Sequence, residues 1–179
     1  PEPGHIVVIG GGPAGLEAAL TAAARGRQVT LLERESILGG QLKLAAGFPS
    51  KPHFQRLLDY YLEKVDRAEI QIHLDTVVNL DLVRSLQPDS LIVATGGVPR
   101  PLILDGSTPH EHVVQATEIL ATRESLTGEV VVVGGGLVGL DVAEVLSMTA
   151  DRVTIIEKGL RAGSVSVSYT HLRAHETLR

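Results

Sequence analysis

The sequence predicts an α/β fold in which parallel strands alternate with helices. Two short runs rich in β-branched residues, "HIVVI" at residues 5–9 and "EVVVV" at residues 129–133, each lead into a glycine-rich turn. Each turn is followed by a stretch of helical composition and then by a second β-rich run. Strand, turn, helix and strand in that order form a βαβ unit, whose two strands run parallel. The chain contains this pattern twice.

The first half of the chain contains four predicted strands and two predicted helices. The run at residues 5–9 is short, apolar and bounded by glycines, which is typical of a strand buried on both faces. Apolar residues between Phe54 and Val65 recur at spacings of three and four, which indicates an amphipathic helix. The predicted strands are residues 5–9, 28–33, 69–75 and 90–97, the predicted helices are residues 13–25 and 51–68, and the double-glycine stretch 38–46 is predicted as a loop.

The second half begins after a proline-rich segment, residues 98–109, which is predicted as a linker. The elements predicted beyond it are a helix at 113–123, a strand at 129–133, a helix at 137–148 and a strand at 152–157. The last residues lack the apolar periodicity expected of a next element, and residues 167–177, "VSYTHLRAHET", resemble a translated sequencing adapter. We therefore expect a first domain at residues 1–104, a second at 105–165 that holds only its first βαβ unit, and a non-native tail at 166–179.

The composition is that of a soluble globular protein and excludes several classes of function. The 179 residues include 44% hydrophobic and 21% charged residues. A net charge of −5 argues against nucleic acids and against membrane surfaces as partners. The absence of cysteine excludes a disulfide framework, a thiolate zinc site and a redox cysteine pair, and it is compatible with the predicted cytoplasmic location. Glycines and Glu17 interrupt the apolar stretch 6–24, so we predict a strand and a helix there rather than a membrane span.

Both glycine-rich turns fit the pattern G-x-G-x-x-G. The first glycine permits a tight turn, the second lets a pyrophosphate approach the backbone, and the third lets the helix pack closely on the strand. The helix that follows offers free N–H groups and a partial positive charge to an anion. The first loop comprises Gly10, Gly12, Pro13, Ala14 and Gly15, and the second comprises Gly134, Gly136, Leu137, Val138 and Gly139.

An acidic residue ends the strand that follows each glycine loop. Glu33 lies 23 residues after Gly10 (33 − 10), and Glu157 lies 23 residues after Gly134 (157 − 134). A carboxylate at roughly this distance accepts hydrogen bonds from ribose hydroxyls, which favours a dinucleotide site over the alternative of a plain tight turn. It also repels a 2′-phosphate, so Glu157 favours NADH over NADPH, although Lys158 and the nearby Arg161 weaken that preference. Two such sites indicate two different dinucleotides, and a nicotinamide that passes hydride to a flavin is the pair we expect.

With these motifs, the chain resembles the two-dinucleotide-binding-domain flavoproteins. The matching stretches are "VVIGGGPAGLEAA", "VTLLERESILGGQLKLAA", "LLDYYLEKV", "LIVATGG", "VVVVGGGLVGLDVAEVL" and "VTIIEK". More narrowly, the chain is similar to the C-terminal region of the NADH:flavin oxidoreductases, which are related to old yellow enzyme and include 2,4-dienoyl-CoA reductase and trimethylamine dehydrogenase. The narrower likeness depends on "LGGQLKLA" followed by "LLDYYL", and the whole covers roughly residues 4–163. It implies a truncated, Rossmann-like fold.

The resemblance also implies which residues hold the cofactors. The first loop, with Glu33 and Arg34, would hold FAD, or ADP alone as in trimethylamine dehydrogenase. Gly40 and Gln41 would lie near the flavin or the pyrophosphate, and Ala94, Thr95 and Gly96 would close over the same dinucleotide. The second loop, with Glu157, would hold NADH or NADPH. No metal site is predicted, and the catalytic side chains are not identified.

In full-length members of this family, an upstream barrel carries FMN and binds a small-molecule substrate, and a 4Fe–4S cluster links the flavins. The resemblance therefore implies that this chain is the electron-entry part of such an enzyme. We expect the fragment to be inactive alone, and NADH-dependent dye reduction at a normal enzymatic rate would contradict this expectation. Two alternatives stay open: a structural module that binds ADP without a redox role, and a protein like the small subunit of glutamate synthase. The sequence names neither the substrate nor the oligomeric state.

Overall fold

The computed structural model describes residues 4–48, 50–100, 112–122 and 124–163. The chain divides into two compact units between Val98 and Pro99. The boundary predicted after residue 104 and the predicted tail at residues 166–179 both lie outside the described residues.

The first unit is built on a four-stranded parallel sheet. The strands are ordered β3-β2-β1-β4, so the first strand of the chain lies inside the sheet. This sheet and its helices confirm the predicted α/β class. Its elements are β1 (His5–Ile9), α1 (Pro13–Ala24), β2 (Gln28–Leu32), α2 (Gln41–Ala46), α3 (Pro52–Asp66), β3 (Ile70–His73), α4 (Leu80–Leu86) and β4 (Ser90–Val93).

The register of the strands brings the end of each one to the same edge of the sheet. Ile9, the last residue of β1, lies opposite both Leu32 and Val93, and Leu32 lies opposite His73. The residues that follow these strands therefore share one edge, the carboxyl edge, where ligands bind in open parallel sheets.

The core of the first unit lies between one face of this sheet and the helices α1 and α3. Val8, Leu16 and Leu31 have no exposed surface, and Val65 of α3 packs in the same cluster. Burying each such side chain contributes about 1.5–3 kcal/mol relative to leaving it in water. The packing holds α1 firmly against the strand that precedes it.

Two helices of the first unit were not predicted. The stretch 38–46, predicted as a loop, contains α2, which buries only Leu42 and is too short to show an apolar period. The helix α4 has only seven residues, of which Leu82, Val83 and Leu86 are half-buried and none is fully buried. The available signal for α4 was Asn79, whose side chain accepts the Leu82 N–H at 2.8 Å and caps the helix.

The second unit contains a two-stranded parallel sheet within its described residues. Helices pack on one face of this sheet around Ile119, Val142 and Leu146, whereas the side chains on the other face are exposed. No helix in the described part of the chain has the length and apolar character needed to cross a membrane. The elements are α5 (Ala116–Thr122), β5 (Glu129–Val133), α6 (Leu137–Leu146) and β6 (Arg152–Ile156).

Candidate dinucleotide-binding sites

The first glycine loop follows β1 at the carboxyl edge of the sheet. Gly10 has a φ of +106°, a conformation that side chains rarely adopt. A Cβ atom at Gly10 would also lie 2.3 Å from the carbonyl oxygen of Ala94, which follows β4. The turn can therefore form only with glycine at this position.

The third glycine of the motif sets the distance between α1 and the loop. A Cβ atom at Gly15 would lie 1.8 Å from the carbonyl oxygen of Gly10, closer than any real contact. Pro13 begins α1, where its missing N–H costs nothing, and Ala14 is exposed. Close packing therefore explains Gly15 without any ligand.

Packing inside the protein does not explain the middle glycine. Gly12 is the N-cap of α1, with ordinary extended backbone angles and no side-chain capping bond. A Cβ atom there would meet only the Cα of Gly40, at 3.9 Å, an ordinary contact. Because Gly12 has no side chain, the backbone beside the N-terminus of α1 stays open, and a pyrophosphate requires such an environment.

The carboxylate of Glu33 is held at the end of β2 by two backbone N–H groups. Gly11 donates to its Oε2 at 2.5 Å, and Glu35 donates to its Oε1 at 2.8 Å. Glu33 is only 8% exposed, and its own N–H donates to the carbonyl of His73. Because a carboxylate has about four acceptor positions, hydroxyl donors of a ribose can still bind to it.

Two further segments close over this loop. The Gly39 N–H donates to the Gly11 carbonyl at 2.8 Å, and a Cβ at Gly40 would lie 2.9 Å from the Gly12 Cα. The Gln41 side chain donates to the Gly97 carbonyl at 2.7 Å. The segment after β2 and the segment after β4 are thereby joined beside the glycine loop.

The structure brings most of the predicted residues of the first site together. The Cα of Thr95 lies 3.2 Å from where a Cβ of Gly10 would be, and Gly96 has a φ of +67° with open space around it. The pKa of Glu35 is lowered by the hydrogen bond from Lys43 and, to a smaller extent, by the charge of the exposed Arg34. The residues that converge are Gly10, Gly12, Gly15, Glu33, Gly40, Gln41, Ala94 and Thr95.

The second glycine loop has the same geometry. Gly134 has a φ of +105°, and a Cβ atom at Gly139 would lie 1.8 Å from the carbonyl oxygen of Gly134. Gly136 is the N-cap of α6, and a Cβ there would meet nothing within 4 Å. Leu137 and Val138, the first residues of α6, are exposed.

Glu157 repeats the role of Glu33 at the end of β6. Its Oε1 accepts the Gly159 N–H and its Oε2 accepts the Gly135 N–H, both at 2.7 Å. These two bonds, that of Gly159 first, hold the pKa of Glu157 below its ordinary value of 4.5. The carboxylate is therefore charged at neutral pH and repels a ligand phosphate placed beside it.

The loop glycines, the acids and the backbone N–H donors repeat between the two sites at a constant offset of 124. This offset separates Gly10 from Gly134 (134 − 10) and Glu33 from Glu157 (157 − 33). It also relates residues that the sequence reasoning missed. The N–H groups of Gly11 and Glu35 donate to Glu33, and those of Gly135 and Gly159 donate to Glu157. The N–H groups of Gly39 and Gly163 donate to the carbonyls of Gly11 and Gly135, respectively. Alignment of the sequence with itself at this offset pairs glycine with glycine at 11/135 and at 39/163, but it does not show which acceptors their N–H groups bind.

The described surroundings of the two sites differ. In the first unit, β4 places Ala94 against Gly10, whereas a Cβ at Gly134 would meet nothing within 4 Å. Glu33 is buried, whereas Glu157 is partly exposed. No cluster of three or more metal-binding side chains occurs in the described residues. Within the described residues, Gly10 and Glu33 of the first site are therefore more enclosed than Gly134 and Glu157 of the second.

Comparison with known proteins gives one family. Residues 4–173 match the sequence profile described as "Pyridine nucleotide-disulphide oxidoreductase". A protein named "NADH oxidase" from Thermoanaerobacter brockii is 40% identical over 155 residues, which are 85% of this chain and 24% of that protein. A "Bilirubin reductase" from Mediterraneibacter gnavus (strain CC55_001C) is 37% identical over 156 residues, 87% of this chain and 24% of that protein.

A solved structure is also similar to this chain. A structure of "2-Naphthoyl-CoA Reductase" in complex with 2-naphthoyl-CoA is similar to this chain with a TM-score of 0.86 at 29% identity, covering 97% of this chain and 26% of that one. The chain therefore spans about a quarter of the length of the proteins it matches.

Proposed function

The chain belongs to the pyridine nucleotide-disulphide oxidoreductase family, and from that premise we propose that it is the electron-entry part of a flavin-dependent oxidoreductase. Its Rossmann-like fold and its likeness to NADH:flavin oxidoreductases, both predicted from the sequence, are confirmed by these relatives. The observation that carries the proposal is the repetition of one binding geometry at an offset of 124, with a carboxylate held by backbone N–H groups in each copy.

We assign FAD to the first site. The open backbone at Gly12 and the N-terminus of α1 accommodate the pyrophosphate, and Glu33 accepts the ribose hydroxyls. The segments that carry Gly40, Gln41 and residues 94–96 cover the rest of the dinucleotide. The Gln41 bond to the residue after Gly96 ties these two segments together.

We assign NAD(P)H to the second site, with Gly136 at the pyrophosphate and Glu157 at the adenosine ribose. The fixed, ionised carboxylate of Glu157 favours NADH, because it repels the 2′-phosphate of NADPH. Lys158 and Arg161 are both exposed, and their charges reduce that preference.

When bound, the two dinucleotides supply the hydride transfer that amino-acid side chains cannot perform. The residues of this chain bind them and orient them, and backbone N–H groups hold the two carboxylates in place. The FMN, the 4Fe–4S cluster and the small-molecule substrate belong, in this proposal, to an upstream barrel, as the resemblance implies. The chain's share of its relatives' length is compatible with that arrangement.

Substitution of the two middle glycines tests the assignment. We expect Gly12→Ala to weaken FAD binding at least about tenfold, equivalent to about 1.4 kcal/mol, and to leave NADH binding unchanged. Gly136→Ala should do the reverse. Both added methyl groups have room in the protein, so any loss of stability should stay within the N-cap preference for glycine over alanine, about 1 kcal/mol or less. Equilibrium titration of FAD and NADH with each variant provides the measurement, and equal binding of FAD by Gly12→Ala and wild type would contradict the proposal.

One alternative has a specific observation in its favour. The contacts at Gly12 and Glu33 address only the AMP half and the pyrophosphate, which FAD and ADP share. The absorption spectrum of the purified protein separates the two. Flavin bands support the redox role, whereas a colourless protein with stoichiometric ADP would leave only a structural role for the first site.

A further inference from the structure

An ion pair closes the segment that covers the first site. The Nζ of Lys43, on α2, lies 2.6 Å from the Oε2 of Glu35, in the bend after β2. The Lys43 side chain is only 21% exposed, and its stem packs beside Gly39. The same ammonium group is 3.5 Å from the carbonyl oxygen of Ile37. The pair therefore joins the two ends of one covering segment.

That segment holds the ribose-binding carboxylate and covers the glycine loop. The Glu35 N–H donates to Glu33, and the Gly39 N–H donates to Gly11. The side chain of Leu38 lies against Gly11, with its Cδ2 only 2.5 Å from where a Cβ would be. If residues 38–43 lift away from Gly11 while Glu35 stays bound to Glu33 through its N–H, the ion pair must break.

The second site has the same bend without the ion pair. At the offset of 124, Glu35 corresponds to Gly159, which donates the same N–H to the carboxylate but has no side chain. The bend is nevertheless closed there by the Gly163 N–H, which donates to Gly135 at 2.7 Å. The bend therefore forms without a charged pair, and Glu35 and Lys43 are additions specific to the first site.

The pair is charged at neutral pH. The hydrogen bond from Lys43 lowers the pKa of Glu35 below its ordinary value of 4.5, with the charges of Lys43 and Arg34 acting in the same direction against a partial desolvation. Glu35 is therefore ionised at neutral pH.

We propose that Glu35 and Lys43 form a clasp, a pair of positioning residues that slows release of the dinucleotide from the first site. The inference rests on the proposed function, because it requires a dinucleotide between the glycine loop, Glu33 and the covering segment. Such a ligand leaves when the segment opens, and the clasp adds to the barrier for that opening. Neither residue needs to touch the ligand.

The test is the dissociation rate of FAD, and of radiolabelled ADP, from the full 179-residue chain. We expect Lys43→Met, which keeps the packed stem and removes the charge, to raise the rate two- to fivefold, the effect of one partly exposed ion pair. Glu35→Gln should do the same, and the double variant should be no faster than either single one. Added salt should speed release from wild type and have little effect on the variants.

The matched control is Arg67→Met. It removes an ion pair of the same 2.6 Å length between Glu63, in the last turn of α3, and Arg67, the C-cap of that helix. This variant should release the ligand at the wild-type rate. Circular dichroism should show that all variants are folded.

The outcomes separate the two proposals. If wild type binds neither FAD nor ADP, the proposed first site is wrong and the clasp with it. If wild type binds and both charge-removing variants release at its rate, the clasp alone is wrong. Additive effects of the two substitutions would also refute it, because partners in one pair must be coupled.

Discussion

The close approach of α1 to the first glycine loop leads to a quantitative prediction for Gly15→Ala. The new Cβ would lie 1.8 Å from the Gly10 carbonyl oxygen, and real Cβ contacts are essentially never under 3.0 Å, so the atoms must separate by about 1.2 Å (3.0 − 1.8). The neighbouring Leu16 and Ala19 are fully buried, so α1 cannot move outward without losing their contacts. Overpacking of this kind costs about 1–3 kcal/mol, and we expect the upper end.

A smaller gain offsets part of this cost. Alanine favours a helix over glycine by up to about 1 kcal/mol, so we expect a net loss of about 2 kcal/mol in the free energy of unfolding of the first unit. That loss is a substantial fraction of the 5–15 kcal/mol typical of a whole protein. Gly12→Ala is the control, because its Cβ meets only one atom at 3.9 Å.

Native-state hydrogen exchange of the β1 amides is the appropriate assay, because it reports on the first unit independently of the second. The buried residues Val7 and Val8 provide the probes. Gly15→Ala should reduce their protection more than Gly12→Ala, whose only cost is the poorer N-cap, about 1 kcal/mol or less. Protection in Gly15→Ala within about 0.5 kcal/mol of wild type, the range of an ordinary surface substitution, would refute the packing argument.

Two predictions concern the carboxylates. Glu33→Gln should lower the free energy of unfolding, measured in urea, by about 1–3 kcal/mol. One amide oxygen cannot replace two carboxylate oxygens, so a donor such as the Gly11 N–H is left without an acceptor. Stability equal to wild type would contradict this prediction. For Glu157, NMR titration should give a midpoint below 4.5, with the Gly159 amide shifting at the same pH. Because the pKa of Glu157 is lowered in the folded state, Glu157 stabilises the fold above its unfolded pKa and loses that contribution as the pH falls through its folded pKa. A midpoint at or above 4.5 would show that the two N–H bonds do not lower the pKa of Glu157.

Local sequence determined the parts of the site whose geometry depends on neighbouring residues. Strands β1 and β5 follow from runs of β-branched residues, and the turns after them follow from Gly10 and Gly134, whose positive φ angles exclude most other residues. The spacing of the acids follows from the length of one helix and one strand. These features occur twice, which made them readable without a structure.

The missed residues act through the backbone or through short elements. The N–H groups of Gly11 and Glu35 hold Glu33, but any residue other than proline carries an N–H, so sequence does not distinguish them. Lys43 lies on α2, which is too short to show a period, and its pairing with Glu35 depends on how the bend folds. Their roles could be recognised only from the positions of the atoms.

The sequence alone therefore determined the class of fold, the two glycine loops and their acids, because backbone conformation and strand propensity are local properties. Only the tertiary structure decided which distant segments complete the first site. The pairing of β1 with β4 brings Ala94 against Gly10, and the Gln41 bond to Gly97 joins segments 56 residues apart. Such contacts follow from sheet order and register, which depend on the packing of the whole unit and leave no periodic pattern in the residues that make them.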